Sequence, residues 1–160
     1  MIDRLVLALS LVTAALLLLL FTPRNKIHEA QIVFLFVQFI TWVLGLLAVE
    51  FQLLEYPVRE FTIATQTSFS FEYFILPATC VIFVLRLPRH KSISKVIGWY
   101  LFWPTWMTVV EVLIERHTNL IKFLNWNWFY TWSSLLLGFL VTHAYYKWFM
   151  RKWTLQSQHQ

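Results

Sequence analysis

The amino-acid sequence predicts an all-α protein, an integral membrane bundle of five transmembrane helices with its N-terminus outside and its C-terminus in the cytoplasm. Three observations predict it: the apolar fraction, the number of long uncharged runs, and the way basic residues divide between the connections. Of 160 residues, 59% are hydrophobic and only 13% charged, against just under half and roughly a quarter in an average soluble domain. With 19% aromatics and only three Gly, the chain is equally far from a disordered or collagen-like composition. Cys80 is the single cysteine, which excludes an intrachain disulfide and a CxxC metal or redox site.

The first run, residues 5–21, is uncharged over about 17 residues, roughly 25 Å of helix, which crosses a bilayer with help from its flanks. It exceeds the apolar core of a secretory signal, and no small-x-small cleavage pattern sits where it ends at Thr22, Pro23 and Arg24, so retention is expected. Four further runs, 30–54, 61–85, 97–114 and 129–149, are each long enough to span, with Glu50, Glu72 and Glu111 as internal exceptions. Pro23 and Pro88 follow the first and third runs, and Pro57 sits in the turn between the second and third. Residues 1–160 therefore read as one transmembrane domain without a detectable repeat, which disfavours a two-repeat transporter.

A net charge of +5 would point to nucleic acid in a soluble protein; in a membrane protein it encodes topology, and no nucleic-acid partner is expected. Nine basic residues fall on one side: Arg24, Lys26, Arg86, Arg89, Lys91, Lys95, Lys147, Arg151 and Lys152. Four fall on the other, Arg4, Arg59, Arg116 and Lys122, and the positive-inside rule makes the richer side cytoplasmic. Trp99, Trp103 and Trp106 then begin the fourth span inside, Trp126, Trp128 and Trp132 begin the fifth outside, and Trp148 and Trp153 end it. Residues 116–128 read as an interfacial segment on the outer leaflet.

A carboxylate at membrane depth costs several kcal/mol unless it is neutral, paired or hydrated, so the intramembrane glutamates are the sharpest signal. Glu72 is placed at the centre of the third span, where 100° per residue aligns Thr65, Ser68, Glu72 and Thr79 on one stripe. Pro77 should free the carbonyl of Tyr73, four residues earlier. Glu111 shares a stripe with Thr108 and Glu115, and Glu50 lies near the outer end of the second span. Glu55 and Glu60 read as a salt-bridged outer rim with Arg59, Arg116 and Lys122. His143, towards the cytoplasmic end of the fifth span, is either a proton relay or an ordinary hydrogen-bonded histidine. Glu72, Glu111, Glu50, His143, Ser68 and Thr65 thus form the candidate polar or proton site.

Ser134, Gly138 and Thr142 repeat at four-residue spacing, a ridge of small side chains that lets another helix approach closely, with Ser10 and Ala14 as one internal candidate for that helix. Catalytic and metal spacings fail: HExxH, Glu-x-x-His pairs, GxSxG and a glycine-rich phosphate loop are all missing. The five histidines, His28, His90, His117, His143 and His159, place no two on facing helices at matching depth, as haem would need. No metal, cofactor or enzyme activity is expected.

Gly98, Trp99 and Tyr100 followed by Pro104 and Trp106 echo the loop motif of the tryptophan-rich sensory proteins, but at the fourth span instead of the first loop, and that family is rejected. Over nearly its whole length the chain resembles an uncharacterised family of small polytopic integral membrane proteins from Bacillus, Clostridium and related spore-forming bacteria. The resemblance lies in FTPRNKIHEA (21–30), EYPVREF (55–61), TSFSFEYFILPATCVIF (67–83), TNLIKF (118–123) and WNWFYTW (126–132). It implies a bacterial cytoplasmic membrane protein with several helical spans, and it implies no catalytic residues. The expected function is a non-enzymatic packing or accessory subunit in the lipid bilayer, bound to a membrane-protein partner or to itself. The alternative is a proton-coupled transporter or cation pathway through Glu72 and Glu111.

Overall fold

A computed structural model describes residues 2–88 and 92–157, without the side chains of 152–157. Arg89, His90, Lys91 and His159 lie outside the described residues, as do the side chains of Lys152 and Trp153; their parts in the topology, tryptophan and histidine arguments rest on sequence alone.

Among the described residues the protein is helical apart from one short two-stranded ladder, with 77% of residues in helix and five helices. Helix α1 is Ile2–Phe21, and a single 3-10 turn, Arg24–Lys26, leads into α2, Ile27–Glu50. After a two-residue strand β1 (Leu54–Glu55), a π-helical segment Ser70–Ile75 runs directly into α3, Leu76–Leu85. Helix α4 is Ile93–His117, β2 is Lys122–Phe123, and α5 is Trp128–Ser157. Among the described residues, three helices are long and apolar enough to cross a membrane, Ile2–Phe21, Arg24–Glu50 and Ile93–His117; their most apolar 18-residue stretches have mean hydropathies of 2.5, 2.5 and 1.3.

Helix α3 is the centre. It packs against α1, α2 and α5, while α4 packs along α5. Pro77, Ala78, Cys80, Val81, Ile82, Phe83 and Val84 are all buried, so this short helix is enclosed around its circumference, as an apolar-all-round sequence requires. Val33 and Val37 of α2 and Leu135 and Phe139 of α5 complete the core. Helix α1 is the opposite case: Ala14 is its one buried residue, and Leu5, Leu9, Leu16, Leu19 and Leu20 stand exposed. Such a continuous apolar surface suits hydrocarbon and not water.

The third apolar run is not one helix over 61–85. Residues 61–68 are irregular, and regular helix begins only at Phe69. The stretch is rich in hydroxyls that compete for the backbone: the Thr65 hydroxyl accepts the Thr67 amide at 3.1 Å, while Arg59 Nε takes the Thr65 carbonyl at 2.8 Å. Arg59 also donates to the Tyr56 carbonyl at 2.9 Å, so its guanidinium is committed to organising this loop. Glu60 caps the helix that follows, accepting the Ser70 amide at 3.1 Å and the Ser70 hydroxyl, a favourable place for a carboxylate at a helix N-terminus.

The 116–128 stretch folds back onto the protein. Leu54 pairs with Phe123, and Glu55 with Lys122, in a two-stranded antiparallel ladder that sets opposite charges across from each other. Ile121 is buried with Leu54 and Tyr56, while Leu124 stays exposed. Asp3 accepts the Asn119 amide at 3.2 Å, which brings the start of α1 to this β-capped end of the bundle. At the opposite end, Arg86 Nε donates to the Phe21 carbonyl at 2.9 Å, and the Tyr146 hydroxyl donates to the Glu29 carboxylate.

Candidate functional site

The site is built where α2 meets the π-helical segment. A π turn bonds each carbonyl to the amide five residues on, as Leu76 N does to Phe71 O. In that register the partner of the Glu72 carbonyl is residue 77, and in α register the same residue serves Tyr73. Residue 77 is proline and has no amide. Both orphaned carbonyls are taken by α2: the Thr41 hydroxyl donates to Glu72 O at 2.6 Å, and Gln38 Nε2 donates to Tyr73 O at 3.0 Å. The freed Tyr73 carbonyl was legible from Pro77; its partner was not.

These bonds hold the Glu72 side chain against α2. The residue is 4% exposed, and its carboxyl lies on Gly45, where any Cβ would collide with all three carboxyl atoms. Tyr56 and Thr67 stand beside the carboxyl, and Oε2 has no hydrogen-bond partner. Glu111 approaches from α4, held by a relay in which Trp126 Nε1 donates to the Thr131 hydroxyl at 2.8 Å and that hydroxyl donates to Glu111 Oε1 at 2.9 Å. Tyr56, in the connection between α2 and the π segment, feels both acids. Burial pushes its phenol well above the ordinary value of 10.0, and the carboxylates of Glu72 and Glu111 push it further.

Two apolar crevices flank this cluster. One, about 490 Å³, lies between α2, α3 and α5, with Glu72 and Glu111 in its wall beside Thr41, Gly45 and Thr131. The other, about 400 Å³, lies between α1, α3 and α4 and is lined by Ser68, Ser70, Thr79 and again Glu111. Tyr56, Phe71 and Glu111 border both.

The expected stripe of Thr65, Ser68, Glu72 and Thr79 is therefore split. Thr65 is in the irregular loop, Ser68 and Thr79 face the α1 side, and Glu72 faces the α5 side. The cause is the break before Phe69 and the extra residue per turn in the π segment, which shift the phase that 100° per residue assumes. Glu72 is also in the first turns of its helix, not at the middle of a long span. Glu50 is exposed at the end of α2 and lines neither crevice.

His143 is buried against α4, hydrogen-bonded to the Tyr100 hydroxyl. Tyr100 packs edge-on against Phe83, which is about 16 Å further along the α3 axis than Glu72 at 1.5 Å per residue. His143 is not among the described residues lining either crevice, whereas Glu111 borders both and Glu72 the larger one. Of the small-residue ridge, Ser134 and Gly138 are exposed along the larger crevice and Thr142 is buried, its hydroxyl donating to Gly138 O at 2.7 Å. Nothing stands within 4 Å of a Cβ built on Gly138. Ser10 and Ala14 line the other crevice.

Gln38, Thr41, Gly45, Tyr56, Thr67, Trp126 and Thr131 are the site residues that sequence reasoning missed. Gly45 alone carried a signal, as a glycine inside an apolar helix. Among the described residues, no three His, Cys, Asp or Glu come together as a metal site needs. No protein-family profile, curated protein or solved structure matches this chain.

Proposed function

We propose that the chain is a non-enzymatic, five-span protein of a bacterial cytoplasmic membrane that acts by packing against another membrane helix, as an accessory subunit or as a homo-oligomer. The observation that carries this reading is the ridge on α5. Ser134 and Gly138 are exposed on an apolar crevice, and among the described residues nothing stands within 4 Å of a Cβ built on Gly138. Small side chains of this kind admit a second helix at close range. The long apolar helices α1, α2 and α4 support the setting in a membrane.

Five spans follow from adding Ser70–Leu85 and α5 to the three long apolar helices. Helix α3 is short, but it is enclosed by its neighbours and need not meet lipid on its own. The β-capped end carries Arg4, Arg59, Arg116 and Lys122 and is the outer end by the positive-inside rule. The test is to tag the C-terminus, extract native membranes in mild detergent and quantify what co-purifies. A second protein in fixed ratio, or a defined homo-oligomer, supports the reading; a monomer at native abundance contradicts it.

The orphaned Oε2 of Glu72 favours a second reading, a proton or cation site shared with Glu111. Its test is flux in proteoliposomes: a cation or proton flux above that of empty vesicles and lost in Glu72→Gln supports it, and a flux that Glu72→Gln leaves unchanged removes it.

A further inference from the structure

We propose that the crevice between α2, α3 and α5 binds a single-chain amphiphile with a primary ammonium head, the head on Glu72 and the chain along the α5 ridge. The inference rests on the second reading above, that Glu72 marks a ligand site, puts the ligand's chain where the first reading docks a helix, and names the class of ligand.

The head is set by charge. Glu72 is 4% exposed, and its Oε2 is buried without a partner while the residue lines the crevice. A buried acceptor left unmade is costly, and a carboxylate in hydrocarbon is more so. Glu111 contributes a second acid to the same wall, yet no Lys, Arg or His is among the described residues lining it. The nearby Arg59 is spent on backbone carbonyls. An alkylammonium has three N–H donors and one positive charge, the complement of this wall. A phosphate-bearing head would find no cation to receive it, and a fatty acid would set a third carboxyl beside the two.

The chain is set by shape. The remaining wall is apolar, with Phe36, Leu44, Leu76 and Phe139 along it. Its volume of about 490 Å³ is roughly three times the 150 Å³ that holds a benzene ring, which leaves room for an extended alkyl chain. The empty space beside Gly138 gives that chain a way out towards the bilayer.

The experiment uses the full chain in zwitterionic vesicles, titrated with a long-chain primary amine brominated near its head and with the alcohol of the same chain length. The readout is tryptophan quenching, with Trp126→Phe removing the reporter in the crevice wall. The expected result is saturable quenching by the amine, with at least about tenfold weaker binding of the alcohol, as loss of a charge-assisted hydrogen bond implies. Glu72→Gln, of the same shape, should remove the preference for the amine. Gly138→Leu, which fills open space, should weaken both probes. Equal binding of amine and alcohol, or an amine preference that survives Glu72→Gln, overturns the proposal. A Glu72-dependent proton or potassium flux with no amine preference also overturns it, while leaving the second reading in place.

Discussion

The carboxyl of Glu72 rests on the backbone of Gly45, a contact that only glycine permits. It joins the chain's most improbable residue, an acid in an apolar wall, to the one place on α2 with no side chain. Thr41 and Gln38, on the same helix, bind the carbonyl of Glu72 itself and the next one along the backbone.

Gly45→Ala should therefore force the Glu72 carboxyl to move and destabilise the protein by about 1–3 kcal/mol, the usual cost of overpacking. Gly98→Ala and Gly138→Ala meet nothing within 4 Å and should be neutral or stabilise by about 0.5–1 kcal/mol, since both lie inside helices. Thermal denaturation of the three variants in one detergent separates these outcomes.

Gln38→Leu should cost about 0.5–1.5 kcal/mol, because Tyr73 O then has no donor. In a Pro77→Ala background the restored amide can serve that carbonyl, so the same substitution should cost less. A double-mutant cycle reads the difference directly, and additive effects would break the link drawn between Gln38 and Pro77.

Tyr56 should ionise only well above pH 10.0, its ordinary value, because burial disfavours the phenolate and the neighbouring acids disfavour it further. With the folded value above the unfolded one, this stabilisation is complete below about pH 10 and is lost as pH rises from there towards the folded value. Ultraviolet titration should show a late phenol that disappears in Tyr56→Phe, and the alkaline loss of stability should shrink in that variant.

Gln52 follows the end of α2 with φ of 52°, in the left-handed region. Its amide bonds to Val49 O at 2.9 Å, and Leu53 N bonds to Ala48 O at 2.9 Å, the pairing of a helix cap that favours glycine. Gln52→Gly should stabilise the fold by about 0.5–1 kcal/mol, measured as a raised melting temperature.

The membrane character and the helices α1, α2, α4 and α5 were legible because each is a long apolar run, and length and hydropathy are local properties. Glu72 was legible because a buried acid is expensive wherever it falls. The loss of 61–68 from the third helix was hidden by the apolar average of the run, although Thr62, Thr65, Thr67 and Ser68 held the hydroxyls that compete for its backbone. The π segment could not be read from spacing, and with it went the phase that separates Ser68 from Glu72. Gly45, Tyr56 and Thr131 reach the acids only through tertiary packing. The ladder between 54–55 and 122–123 joins two short connections far apart in sequence, and neither has enough strand pattern to announce it.

Native mass spectrometry of the protein from its own membrane, wild type beside Gly138→Leu and Glu72→Gln, tests the association reading most directly. The account predicts a complex of fixed composition for wild type and Glu72→Gln, and a folded monomer for Gly138→Leu. A Gly138→Leu protein that retains the wild-type complex would contradict it.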